Sequence, residues 1–293
     1  ANLSELATLE ASKEINYGHQ FQYKRGSDKV TLCVYNGKKG LRLVWQGNNP
    51  LREELEAYMN AGASAAKSEA KRSITSEIWA GSDESGKGDF FGPLVIGAVA
   101  LDGIRECSLK VAGVKDCKLL TDKKILELEP VIKREALAYS VLQLKPKFYN
   151  QRYAEVLAKG GKLNQLLASG HINALTAVLK QLEEKNISCD YALVDQFTNS
   201  GIVIKPLQLR FPNVDFSQRP KAESNIAVAA ASILARAQFL HTMEELALLA
   251  GEAELPKGGG ETATECALRL AEKLGKNELV NFVKTHFVNF SRI

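Results

Sequence analysis

Asp83 and Glu84 stand side by side at the head of Asp-Glu-Ser-Gly-Lys-Gly-Asp-Phe-Phe-Gly-Pro93, just ahead of the apolar run Leu94–Leu101. Carboxylates at this density hold hard divalent cations through oxygen. The glycines and the lysine that follow offer exposed amides and a cation, which suit phosphate or sugar. A metal beside a phosphate cradle points to phosphodiester chemistry. Two further carboxylates fit the theme. Asp195 follows the apolar segment Tyr191-Ala-Leu-Val194, and open α/β sheets take their ligands at the carboxyl ends of strands. Glu223 opens an alanine-rich helix whose small side chains allow close packing on a sheet. Each of these acids alone has a plainer explanation, as solvated surface, as a turn or helix cap, or as a partner of the helix dipole. Only a fold could bring all four together.

The elements that would position them can be read from periodicity. Residues 75–293 alternate. Leu94–Leu101 predicts a buried strand, Tyr139–Leu144 and Tyr191–Val194 two more, and Pro206–Phe211 a weaker fourth. Leu166, Leu167, Leu175, Val178, Leu179 and Leu182 repeat at helical spacing over 163–185, and 222–250 and 262–287 read as mostly helical. Strands mixed with long helices predict an α/β domain. Before it, residues 3–15 predict a short amphipathic helix with Leu3, Leu6 and Leu9 on one side. Residues 17–47 predict short strands split by Arg25-Gly-Ser-Asp28 and Asn36-Gly-Lys-Lys-Gly40, and 51–59 a helix through Leu51, Leu55 and Met59. The expected domains are 1–60, a small α+β unit, and 75–293, joined by a small-residue, polar linker over 61–74.

Asp83–Leu94 resembles the signature of the type 2 ribonucleases H, and its Gly-Lys-Gly form is similar to that of the HIII branch. The resemblance continues, in order, through Lys115-Asp-Cys-Lys-Leu-Leu-Thr121, Leu193-Val-Asp-Gln-Phe197, Lys221-Ala-Glu-Ser224 and Val228-Ala-Ala-Ala-Ser-Ile-Leu-Ala-Arg236. It implies a ribonuclease H-like mixed sheet flanked by helices, preceded by a small α+β domain similar to a TATA-binding-protein repeat. It also implies hydrolysis of the RNA strand of RNA/DNA hybrids with Mg²⁺ or Mn²⁺, two ions in the active complex, leaving 5′-phosphate and 3′-hydroxyl ends. Carried over by motif, the catalytic and metal-binding residues are Asp83, Glu84, Asp195 and Glu223. The substrate contacts are Gly86, Lys87, Gly88, Lys115, Lys118 and Thr121. Cys117 and Leu119 depart from the family's usual serine and lysine. In the N-terminal unit, Lys24, Arg25, Lys29, Lys38, Lys39 and Arg42 face only Asp28 between residues 24 and 42, with Tyr23, Tyr35 and Trp45 nearby. Tyr23, Lys24, Lys38 and Lys39 are therefore expected to touch the hybrid backbone. Two other functions stay open: nicking at single ribonucleotides in DNA, as in the HII branch, and binding of hybrids without cleavage.

Composition agrees without deciding. The net charge of +4 is compatible with a polyanion partner. Five scattered cysteines without CxxC spacing argue against a disulfide frame or a zinc site and fit a reducing cytoplasm. The longest unbroken apolar run, Leu94–Leu101, is far shorter than a membrane span, and the first residues carry no secretion signal. The four histidines form no HxxxH or HExxH pattern and are expected to be structural or peripheral. A monomer is expected.

Overall fold

The computed structural model describes residues 6–15, 18–37, 40–56, 77–198, 201–220 and 222–293. Lys38, Lys39, Met59, Lys221 and the predicted linker lie outside them. The chain divides into two compact units, Ala1–Thr75 and Ser76–Ile293.

The first unit is an antiparallel meander of β1 (Thr8–Ile15), β2 (Gly18–Arg25), β3 (Asp28–Gly37) and β4 (Gly40–Gln46). A helix, α1, begins at Pro50 and is described to residue 56. Asn49 starts it: its Oδ1 accepts the Arg52 amide and its amide group donates to the Lys29 carbonyl. Leu51 and Leu55 of α1 bury against Ala7 and Val30, with Tyr23 and Trp45 beside them. The helix predicted over 3–15 is instead strand β1 over its described part. Its side chains are almost all exposed, so no buried face rewards a helix, while the edge of β2 pairs with it on both sides of a bulge at Glu10.

The second unit is built on a five-stranded mixed sheet in the order β7-β6-β5-β8-β9. Its strands are β5 (Ile78–Ser85), β6 (Leu94–Asp102), β7 (Ala138–Leu144), β8 (Tyr191–Asp195) and β9 (Asp215–Arg219). β5 is central, antiparallel to β6 and parallel to β8. The helices are α2 (Gly103–Ala112), α3 (Asp122–Glu135), α4 (Pro146–Ala158), α5 (Leu163–Glu184), α6 (Ile204–Arg210), α7 (Ile226–Ala250), α8 (Glu261–Leu274), α9 (Lys276–Leu279) and α10 (Val288–Ser291). Residues of a strand alternate between faces. On β6, Leu94, Ile96, Ala98 and Ala100 join the core under α5, whereas Val99 and Leu101 join the core under α7 and α3. Both faces being covered, the strand reads as one apolar run. By length and composition α7 could cross a membrane, but most of it is buried in this core.

One expectation fails here. Pro206–Phe211 is not a strand: α6 occupies Ile204–Arg210, with Pro206 in its first turn, where a missing N–H costs nothing. Leu207 and Phe211, four residues apart, bury together, while Leu209 is 87% exposed. The edge strand is β9, a polar segment with Phe216 as its one buried residue. The acids Asp83 and Glu84, outside every strand predicted from periodicity, lie within β5 itself.

Candidate active site

The carboxyl ends of β5 and β8 lie at the same edge because the strands are parallel. Ser82 pairs with Val194, so the next step along each strand sets Asp83 beside Asp195. Alternation then separates the neighbours on β5. Gly81 and Asp83 face α7, and Ser82 and Glu84 face α5.

On the α7 face the approach is as close as backbone permits. A Cβ on Gly81 would lie 2.6 Å from the Ala227 carbonyl carbon, and one on Gly97 would lie 3.1 Å from that of Ala231. This seats the start of α7 at the sheet edge. Asn225 caps the helix, and the 3-10 turn Ala222–Ser224 before it presents Glu223. The Ala222 amide donates to Asp195 Oδ1 (3.1 Å), tying that turn to the end of β8. Residues 83, 195 and 223 thus meet although the sequence separates them widely. Burial raises Asp83 well above the ordinary carboxylate range, helped by the charges of Glu84, Asp195 and Glu223. Burial and the charges of Glu223 and Glu84 likewise raise Asp195, against the Ala222 hydrogen bond.

On the α5 face, Gly170 lets the helix settle onto Ile96, and the next residue, His171, is fully buried. Its Nε2 lies 3.2 Å from Glu84 Oε2 and its Nδ1 3.0 Å from Ser82 Oγ, with Phe197 stacked on the ring. A carboxylate only accepts, so Nε2 carries hydrogen and donates to Glu84. Burial would raise Glu84, but the His171 hydrogen bond, the charge of His171 and Lys87 carry it down to about 2. His171, expected with the other three histidines to be structural or peripheral, is buried and hydrogen-bonded to the acid Glu84. No spacing signal could have found it, since its partners are on a strand 87 and 89 residues away.

A cavity of about 590 Å³ opens at this edge, lined by Asp83, Glu84, Gly86–Gly88, Cys117, Lys118, Asp195 and Arg236, among others. Lys87 Nζ sits 2.7 Å from Glu84 Oε1, and Lys118 Nζ 2.7 Å from Glu223 Oε1. Burial would raise Glu223, but this Lys118 contact holds it below its usual value. As they stand, no three of these acids converge on one point closely enough to hold an ion, among the described residues. The donor set nonetheless suits hard dications: carboxylate oxygens only, two of them raised by burial and mutual repulsion.

The other expected contacts fall unevenly. Gly86 has φ +86°, and a Cβ there would meet the Phe239 ring at 2.9 Å, so the fold itself requires glycine. Gly88 has negative φ or extended backbone and open space, so nothing in the fold demands it. Lys118 is engaged by Glu223, Lys115 is exposed, and Thr121 caps α3 by accepting the Lys124 amide. Cys117 is half-buried in the cavity wall and Leu119 is exposed. Sequence reasoning missed Arg236 and Asp122, an ion pair in the same wall. In the first unit, Tyr23 packs in the small core, and Glu10 and Glu54, outside the stretch that counted as basic, pair with Lys24, Lys29 and Arg25. The unbalanced charge expected there is thereby reduced.

Residues 80–290 match the family model described as ribonuclease HII. The chain belongs to the ribonuclease HII family. Curated relatives carry the narrower name ribonuclease HIII. One from Bacillus cereus (strain AH187) is 37% identical over 278 residues, 89% of this chain and 85% of its own length. Another from Protochlamydia amoebophila (strain UWE25) is 37% identical over 213 residues, 73% of this chain and 67% of its own. Among solved structures, that of Bst-RNase HIII in complex with Mn²⁺ superposes with a TM-score of 0.66 at 27% identity, covering 98% of this chain and 91% of that one. This ribonuclease HII-family chain is a metal-dependent endoribonuclease with the mixed-sheet fold of those enzymes.

Proposed function

We propose that the chain hydrolyses the RNA strand of RNA/DNA hybrids, using Mg²⁺ or Mn²⁺ held by Asp83, Glu84, Asp195 and Glu223, and leaves 5′-phosphate and 3′-hydroxyl ends. The observation that carries this reading is that Asp83, Glu84 and Asp195 line one cavity, with Glu223 on the turn before α7 close enough for its charge to raise Asp83 and Asp195. A protein that only bound a polyanion would gain nothing from such a cluster. The Mn²⁺ bound by Bst-RNase HIII supports the choice of metal.

When bound, paired dications activate water and stabilise a leaving oxygen. The chain's own residues supply the rest. Asp83 and Asp195 face the cavity from parallel strands and hold its floor. Glu84, fixed by His171, offers its second oxygen, now engaged by Lys87. Glu223, fixed by the turn before α7, orients water or completes a metal's coordination. The open space at Gly88 admits a sugar edge, where the 2′-hydroxyl is the group that marks RNA. With the acids engaged by metal, Lys87 and Lys118 would be free to turn from carboxylate to phosphate.

The test is cleavage of two labelled duplexes with Mg²⁺, with Mn²⁺ and with EDTA. One is an RNA strand paired with DNA, the other a DNA duplex with one embedded ribonucleotide. Metal-dependent cutting of the first with little of the second is expected. Preferential cutting of the second would overturn the substrate, and no cutting of either would overturn the activity.

A further inference from the structure

Lys284 is fully buried and lies outside the carboxylate cluster. Its Nζ donates to the carbonyl oxygens of Asp89 and Gly92, both at 2.7 Å, and reaches that of Phe91 at 3.4 Å. Three N–H groups thus meet three acceptors, all on the turn that follows Gly86-Lys87-Gly88. The backbone around it continues the tie. The Lys284 amide donates to Phe90 O, the Gly92 amide to Phe282 O, and Phe91 bridges to Val283. From the other side, Asp89 Oδ1 accepts the Gly258 amide (2.6 Å), and Phe90 donates to Gly258 O. Asn150 of α4 fixes the Lys284 segment by donating to the carbonyls of Val280 and Val283 and accepting the Thr285 amide. A buried ammonium is costly, and an apolar side chain would fill the same space without that cost. What only the ammonium supplies is three hydrogen bonds to one turn.

We propose that Lys284 is a positioning residue for the reaction: its ammonium locks residues 89–92 so that Gly86, Lys87 and Gly88 are held in one pose for the hybrid. This rests on the reading of that loop as a hybrid contact. Lys284 touches no substrate and acts through the loop. The titratable groups facing it are Asp89 on the loop, Tyr149 on α4, whose ring lies 5.7 Å from Nζ, and His286 on its own segment. Burial brings the ammonium down to about 7, against the support of Asp89. Burial and the charge of Lys284 lower His286, which favours its neutral form. Deprotonation leaves two N–H groups for three carbonyls, so the loop loosens as pH rises.

The test uses the full chain. Lys284→Met keeps the length and removes the donors. Steady-state cleavage of the RNA/DNA hybrid at saturating Mg²⁺ is expected to show KM raised about tenfold, the scale of losing charge-assisted hydrogen bonds, with kcat nearly unchanged. Amide hydrogen exchange over 86–93 should quicken, and calorimetric Mn²⁺ affinity should stay as in the unmodified protein. A folded Lys284→Met with unchanged exchange over 86–93 overturns the proposal. Quicker exchange with an unmoved KM, seen also for Lys87→Ala, upholds the tie and overturns the loop's reading as a hybrid contact. Should Lys284→Met fail to fold, the unmodified enzyme decides: KM is expected to rise as pH passes upward through about 7, with exchange over 86–93 quickening beyond its intrinsic base catalysis. Flat profiles of both overturn the proposal.

Discussion

Asp83 and Glu84 are neighbours in sequence and opposites in environment. Asp83 lies on the face of β5 where α7 is pressed against bare backbone at Gly81 and Gly97, and among the described residues no cation within hydrogen-bonding distance offsets its burial. Glu84 lies on the face where α5 brings His171, and where Lys87 reaches back across the turn. Burial raises one acid and is outweighed at the other. The difference teaches that a strand, unlike a loop, can give two adjacent carboxylates separate supports. One face supplies crowding among acids, and the other supplies a fixed orientation.

The largest effect should come from the acids themselves. Asp83→Asn and Glu84→Gln should each lower turnover on the order of 10³-fold or more, since metal-held charge stabilisation is worth several kcal/mol. The comparison breaks if either variant retains most activity. Next comes packing. Gly97→Ala sets a methyl against the backbone of α7 and should cost about 3 kcal/mol in a urea titration, because backbone cannot yield. Gly170→Ala on the other face meets the end of the Ile96 side chain at 2.6 Å and should cost less. Equal costs would contradict the account of α7 as the rigid approach.

In EDTA at neutral pH the two acid variants should move stability in opposite directions. Asp83 has a raised folded value, so its contribution is present below the ordinary 3.8 and lost as pH rises through the folded value; Asn removes that loss. Glu84 has a folded value of about 2 against an ordinary 4.5, so its contribution is present above 4.5 and lost as pH falls toward 2; Gln forfeits it. Denaturant midpoints shifting the same way would refute the contrast. A smaller effect is expected at His171→Gln. Orienting partners of metal ligands are worth about 10- to 100-fold in affinity, so Mn²⁺ binding by calorimetry should weaken by about tenfold with the fold intact. Unchanged affinity would remove His171 from the site.

What the sequence made legible follows from how each signal is written. Asp195 ends an apolar run, and the alanines after Glu223 announce a helix that packs closely; both are local signals. That Asp83 and Glu84 belong to a strand was hidden because Gly81-Ser-Asp-Glu-Ser85 has turn composition, while its pairing on both sides comes from β6 and β8. His171 was illegible for the same reason: its partners arrive through the fold. α6 took the segment predicted as a strand because Leu207 and Phe211 bury at helical spacing, and β9 formed from polar residues because an edge strand needs backbone more than side chains. The basic stretch at 24–42 carries less unbalanced charge than its own residues suggest, because Glu10 and Glu54 reach Lys24, Lys29 and Arg25 from β1 and α1.

The most direct measurement is cleavage of a labelled RNA/DNA hybrid by the full chain and by Asp195→Asn, with hybrid binding read on the same samples in Mg²⁺ and in EDTA. The account predicts cutting by the unmodified chain that EDTA abolishes, and an Asp195→Asn protein that still binds the hybrid but has lost most turnover. An Asp195→Asn protein that cuts as well as the unmodified chain, or an unmodified chain that binds the hybrid and never cuts it, would contradict it.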